Sequence, residues 1–207
     1  AWVHPIYARL LGMLLQRAGV DSDRVLGAAA LDWGSLLRSE QRLTRDTAVR
    51  LVRAAVQATG KPWLGLELGE LAPVSAHGPL GYAAMTAPDL QHCLSVLARY
   101  GPVREDSFEW SFRTRGQGGT LQVIDRLDWG EARGFVLDTM AAALIALLHA
   151  AMGELPAGLQ LDLPMPRPTW VLMYERALPL PLQFGQPTLA LHVPPTALCL
   201  PLLGADA

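Results

Sequence analysis

Five histidines, two cysteines and a few isolated polar side chains are the groups through which this chain could do chemistry. Ser75 and His77 are close in sequence. Acyl transfer, however, needs an oriented nucleophile, base and carboxylate, usually announced by G-x-S-x-G at a strand-to-helix elbow, and that string is absent. His4, His77, His92, His149 and His192 are scattered, with no H-x-H and no pair one helical turn apart, so no two are spaced to converge on one ion. His92 and Cys93 are neighbours whose side chains diverge by about 100° on a helix. Cys93 and Cys199 form no C-x-x-C and read as buried free thiols in a reducing compartment. GQGG at 116–119 is glycine-rich but lies between two strand patterns, and no G-x-x-x-x-G-K-[ST] exists, so it reads as a turn. Neither a metal nor a cofactor is expected. A small enzyme or haem-binding domain using His77 or His149 is the alternative of another class, although a partly buried structural histidine is the preferred reading of His149.

What remains is a set of polar groups on otherwise apolar elements: Tyr82, Trp110, Trp129, Arg133, Asp138, His149 and Tyr174. A small-molecule pocket has this composition, with a few placed polar groups among apolar walls. A core with satisfied polar groups has it equally. The residues alone favour binding over catalysis and go no further.

The elements that must position these groups are legible in the periodicity. Tyr7, Leu10, Leu11, Leu14, Leu15 and Ala18 recur at three and four and predict a helix ending at Gly19, with a short helix following near Ser22 to Ala30. Thr44 is placed to cap a helix whose first turn carries Asp46, whose inner face is Val49, Val52, Ala55 and Val56, and whose arginines Arg42, Arg45, Arg50 and Arg53 face solvent. In HGPLGYAAMTAPDLQHCLSVLARYGPV, residues 77–103, Gly78, Pro79 and Gly81 shape a tight turn. Thr86, Pro88 and Asp89 start a helix that buries Leu90, Cys93, Leu94 and Leu97, and Gly101-Pro102 stops it. From Ser107 the period becomes two, giving a hairpin through GQGG to TLQVIDRL. LQLDLP, a helix around Thr169 to Arg176, PLQFG and TLALHV follow the apolar stretch 134–152.

That stretch is nearly long enough to span a bilayer, which takes roughly 20 apolar residues. Asp138 and His149 argue against a span, and a buried central helix is the preferred reading. The expected fold is α+β: a helical N-terminal half, a long buried central helix, and a mostly antiparallel sheet built from the hairpin and the C-terminal strands. With 207 residues, 51% of them hydrophobic, and no repeat or low-complexity linker, one domain over 1–207 is expected. Only 17% of residues are charged and the net charge is −2, which supplies no basic footprint for nucleic acid. No signal peptide is indicated, and a cytoplasmic location without membrane attachment is expected.

The segment from His77-Gly78-Pro79-Leu80-Gly81-Tyr82 through Met85-Thr86-Ala87-Pro88 to Leu97-Ala98-Arg99-Tyr100 resembles the N-terminal effector domain of one branch of AraC/XylS-type transcriptional regulators, the arabinose-binding-domain-like branch. Leu64-Gly65-Leu66 to Gly69, and Tyr174, Leu178, Pro181, Leu182, Phe184 and Pro201-Leu202, extend the likeness over nearly the whole chain. The resemblance departs at Thr188, where the family often has Asn, and at His77, where an apolar or aromatic residue is common. It implies a cytoplasmic sensor that binds a small-molecule effector and forms a homodimer. Promoter DNA would be bound through a C-terminal pair of helix-turn-helix motifs, expected beyond residue 207. The namesake's cupin-like barrel does not suit the helical first half. Tyr82, Trp110, Arg133, Asp138, His149 and Tyr174 are the candidate effector contacts.

Overall fold

The alternation of Phe108, Trp110 and Phe112 against Glu109, Ser111 and Arg113 does form a hairpin in the computed structural model, which describes residues 2–38, 42–104, 106–116 and 118–205. In chain order the elements are β1 (Trp2–Val3), α1 (Pro5–Arg17), α2 (Ser22–Ala28), α3 (Trp33–Arg38), β2 (Leu43–Thr44), α4 (Arg45–Thr59) and α5 (Leu64–Leu71). A 3-10 turn at Val74–His77 leads into α6 (Pro79–Met85) and α7 (Leu90–Arg104), then the hairpin β3 (Phe108–Arg115) and β4 (Gly118–Asp125). A second 3-10 turn at Gly130–Ala132 opens α8 (Arg133–Met152), followed by β5 (Gln160–Leu163), α9 (Val171–Ala177), β6 (Leu182–Phe184), β7 (Leu189–Val193) and α10 (Pro195–Leu198).

The larger sheet has the order β3-β4-β7-β5-β6, and only the β5–β6 pair is parallel. The fold is therefore the α+β arrangement the sequence predicts. Leu121, Val123, Leu161, Leu163, Leu189, Leu191 and Val193 turn one face of the sheet into the core. The other face is polar, as an antiparallel sheet covered on one side requires. Gly116 has a positive φ of 57°, in keeping with the turn reading of GQGG, while Gln117 lies outside the described residues.

The apolar stretch at 134–152 is a core helix. α8 is mostly buried between Phe135 and Leu148, with apolar neighbours from both core clusters. The tightest of these is α5, whose Gly65 and Gly69 face α8: a Cβ on Gly69 would lie 2.5 Å from the Thr139 carbonyl oxygen, and one on Gly65 would collide with that of Phe135. The two helices thus meet backbone to backbone. On one side of α8, leucines of the sheet and of α7 form one core cluster; on the other, α1, α2, α4 and α5 form a second.

Thr44 caps α4 as the sequence predicts. It accepts the Thr47 N–H, and Asp21 accepts the Arg24 N–H. Three local expectations are refined or corrected. Residues 77–82 are not only a tight turn: Gly78, at φ 60° and ψ −147°, breaks the chain so that Pro79, with its preset φ, can start α6. Of Thr86, Pro88 and Asp89, expected together to start α7, Asp89 is the cap, accepting the His92 N–H at 2.8 Å, while the Thr86 hydroxyl donates to the Tyr82 carbonyl and closes α6. Gly101-Pro102 does not stop α7, which continues to Arg104. A proline removes one N–H, and in a last turn that costs a single bond; Gly101 is there because the Trp110 ring lies 3.1 Å from where its Cβ would be.

Because α5 and α8 touch through glycine, Gly69→Ala should destabilise the chain by about 1–3 kcal/mol through overpacking. Gly134→Ala, with open space at its Cβ, should be neutral or slightly stabilising by helix propensity. Thermal unfolding of the two variants checks the contrast.

Candidate functional site

Beside α8, between the two core clusters, lies a cavity of about 140 Å³. α8 forms its floor through Val136, Met140, Leu144 and Leu147. α1 and α4 close one side with Leu11, Leu51 and Val52, and α7 and β3 close the other with Leu97, Phe108 and Trp110. The walls are almost wholly apolar. The few polar side chains in them are Tyr7, His77, Arg104, Trp110, Trp129 and Thr139.

Each of these polar groups is placed by an identifiable local feature. The last two residues of α7, beyond Pro102, bring Arg104 to the cavity wall, where its Nη2 donates to the Ala76 carbonyl at 2.6 Å and its Nε is buried without a described partner. His77 ends the 3-10 turn, with its Nδ1 3.5 Å from the Tyr7 hydroxyl. Burial, and then the charge of Arg104, push its pKa below the ordinary histidine value, so the imidazole is held neutral. Trp129, 1% exposed and stacked near Phe108 at 6.3 Å, buries an indole N–H with no acceptor. The Thr139 hydroxyl is already used, donating to the Phe135 carbonyl within α8.

The residues singled out from the sequence are distributed unevenly. Trp110 stands in the cavity wall, as do Trp129 and His77. Tyr82 is on α6, 58% exposed and outside the lining. Arg133 makes a two-point ion pair with Asp125, at 2.7 and 3.1 Å, at the start of α8. His149 is exposed rather than partly buried. It shares a helix face with Asp138, but eleven residues carry it about 16 Å along the axis to where α8 leaves the core. Cys93 is buried, its thiol pushed up to about 12 by burial, whereas Cys199 is exposed at the end of α10, contrary to the expectation that both are buried.

Asp138 and Tyr174 are bonded to each other. The Tyr174 hydroxyl donates to Asp138 Oδ1 at 2.7 Å, with both residues buried, which ties α9 to α8 away from the cavity. Arg104 was not a sequence candidate, since a helix stopping at Gly101-Pro102 leaves it in a loop. The chain carries many arginines, and nothing in the sequence marks one as half-buried without a carboxylate.

A second polar cluster lies on the open face of the sheet. His192 Nε2 is 2.7 Å from Asp162 Oδ2 and its Nδ1 is 3.3 Å from the Thr120 hydroxyl. Hydroxyl, imidazole and carboxylate in a row have the outline of an acyl-transfer set. β4 and β7 are interior strands, however, so the nearby backbone N–H groups are engaged in the ladder and offer no oxyanion site. The row reads as cross-strand pairing, like the Gln122 amide donating to the Thr188 hydroxyl beside it. Among the described residues no group of three or more histidine, cysteine or acidic side chains is placed to hold a metal ion.

Residues 19–202 match the family described as the arabinose-binding domain of AraC transcription regulator, N-terminal. The ornithine utilization regulator of Pseudomonas aeruginosa is 26% identical over 188 residues, covering 91% of this chain and 56% of that protein. The crystal structure of the transcriptional regulator CdpR from Pseudomonas aeruginosa shares the fold, with a TM-score of 0.65 at 22% identity over 88% of this chain and 57% of that one. This chain therefore spans little more than half the length of either.

Burial raises the Asp138 carboxyl to about 7, against the Tyr174 hydrogen bond, which lowers it. A carboxyl raised above its unfolded value of about 3.9 binds its proton more tightly in the folded state. Its stabilising contribution is complete below about pH 4 and is lost as pH rises to about 7. Asp138→Asn should flatten the fall in melting temperature between pH 4 and 7 relative to the parent; equal slopes would show that another group titrates.

Proposed function

Since this chain belongs to the arabinose-binding-domain family of AraC transcription regulators, we propose that it is the effector-sensing part of such a regulator and that the cavity against α8 is the effector site. The observation that carries this reading is an apolar cavity at the junction of two core clusters whose walls hold two buried donors, Arg104 Nε and Trp129 Nε1, without acceptors. Buried polar groups are ordinarily bonded, and an unmet donor in a residue of a cavity wall is a group that a ligand atom or a water can meet, whereas the third such donor, Trp170 Nε1, lies outside the lining. Of the residues chosen from the sequence, Trp110 is assigned to the effector. Asp138 with Tyr174, and Arg133 with Asp125, are assigned to the scaffold, and Tyr82 and His149 to the surface.

The cavity's position suits a sensor. Its walls come from both cluster sets, so an occupant contacts the N-terminal helices, α7, β3 and α8 together. A ligand that prefers one arrangement of these elements shifts the population toward it by its difference in affinity. In the proposed mechanism that shift alters how two copies of the domain associate in the cytoplasm. It thereby alters the spacing of helix-turn-helix units, carried elsewhere in the protein, on promoter DNA. The lack of a basic surface charge excess in this chain fits a division of labour in which DNA is held by another domain.

The test is a thermal-shift panel of amino acids, including ornithine because of the similar regulator, with amines, sugars and organic acids. At a hundredfold excess over its Kd an effector should add about 2.7 kcal/mol of stability, a rise of roughly 5–10 °C for a chain of this size. Ala48→Phe, which fills the cavity from α4, should abolish the shift while the unliganded protein still melts cooperatively. A shift that survives cavity filling, or no shift and no change in sedimentation across the panel, would defeat the proposal.

A further inference from the structure

We propose that the effector is a small organic monoanion, a carboxylate on an apolar body, with Arg104 holding the carboxylate; this rests on the cavity being the effector site. The inference comes from what the walls can and cannot match. Arg104 is the one permanently charged side chain in the lining, and among the described residues no carboxylate pairs with it. Its Nη2 is engaged by the Ala76 carbonyl, which leaves Nε and the rest of the fork to a partner. A guanidinium half-buried among leucines and aromatic rings is costly unless its charge is met.

The other polar groups point the same way. The Trp129 N–H can only donate, and it has no acceptor. The neighbouring imidazole of His77 is neutral and supplies no counter-charge. A head group with only acceptors and one negative charge is the complement of such a wall, and a carboxylate meets a guanidinium through two parallel bonds. No aspartate or glutamate lines the cavity, so an ammonium head group would be buried without a carboxylate and beside a like charge. A doubly charged phosphate would exceed the single positive charge available. The apolar remainder, Leu51, Val52, Leu97, Phe108 and Leu144 among it, asks for a hydrocarbon or aryl body. At about 140 Å³ there is room for on the order of ten water-sized groups, which sets the size.

The experiment is calorimetric titration of the chain at pH 7 with octanoate and 3-phenylpropionate, and with octanamide, 3-phenylpropionamide and octylamine as matched neutral and cationic probes. At least one carboxylate should bind ten- to a hundredfold more tightly than its amide and than octylamine, the range expected for a desolvated charge-assisted pair. Arg104→Gln should remove at least tenfold of that carboxylate affinity and leave the amide within about twofold, while Arg104→Lys, which keeps the charge without the fork, should fall between. Melting temperatures without ligand establish that the variants are folded; if Arg104→Gln is not, Arg104→Lys and the carboxylate-to-amide ratio in the parent decide.

Three outcomes overturn the proposal: amide or amine binding as tight as the carboxylate, carboxylate affinity unchanged in Arg104→Gln, or no carboxylate binding at millimolar concentration. Amide or amine binding that Ala48→Phe abolishes would remove the anion assignment and leave the effector site standing. Carboxylate binding unaffected by Ala48→Phe would remove both.

Discussion

The contact between α5 and α8 is the constraint around which the other elements are arranged. A helix that is apolar on every side has to be surrounded, and α8 is surrounded by the sheet and α7 on one flank and by α1, α4 and α5 on the other. Gly65 and Gly69 let α5 approach until only backbone separates the axes. That closeness fixes α5 and, through the 3-10 turn and α6 that follow it, the start of α7. The same fixity makes the cavity durable. Interiors pack to crystal-like density, and a void survives only where the surrounding elements are held by other contacts and cannot collapse into it.

Polar groups around α8 divide by whether the fold itself satisfies them. Asp138 and Tyr174 satisfy one another, and Arg133 finds Asp125. These pairs tie α8 to α9 and to the end of β4, and their chemistry is consumed in doing so. Arg104 and Trp129 are different, since each presents a donor that no described atom accepts. A domain that leaves such groups unmet is less stable than one that pairs them, and binding an occupant would recover the difference. The stability deficit and the proposed sensing would then be one property of the cavity. The unmet donors also sit where α7, β3 and α8 converge, so an occupant touches elements of both core clusters at once.

Much of the fold is legible in the sequence because local periodicity and local stop signals carry it. The alternation at 108–113, the cap at Thr44, and the apolar run at 134–152 each depend on residues within a few positions of one another, and each is found where the pattern puts it. The failures are equally physical. Gly101-Pro102 reads as a stop, yet its glycine answers to the Trp110 ring on the next strand, a contact invisible in the helix's own sequence. Residues 77–82 read as a turn because Gly and Pro punctuate them, although the same residues serve as a break and an N1 position. His149 and Asp138 share a face by angle but differ in depth, and depth depends on where the neighbouring elements end.

The candidate site divides along the same line. Of the six candidate contacts chosen by residue type, only Trp110 stands in the cavity wall; Trp129 reads from the sequence as a polar group on an apolar element, and His77 only as a candidate for a catalytic or haem role. Pairing is a property of pairs, and it could not be read from single positions. Asp138 lies thirty-six residues from the tyrosine that occupies it, and Arg104 is distinguished from the chain's other arginines only by what fails to come near it. The sequence by itself determined the α+β order of elements and the helix that must be buried, since these follow from local pattern and composition, and its motifs carried the resemblance to the family. Only the tertiary structure decided which polar groups the fold satisfies internally and which residues of the cavity wall it leaves with an unmet donor, because that is set by the convergence of segments far apart in the chain.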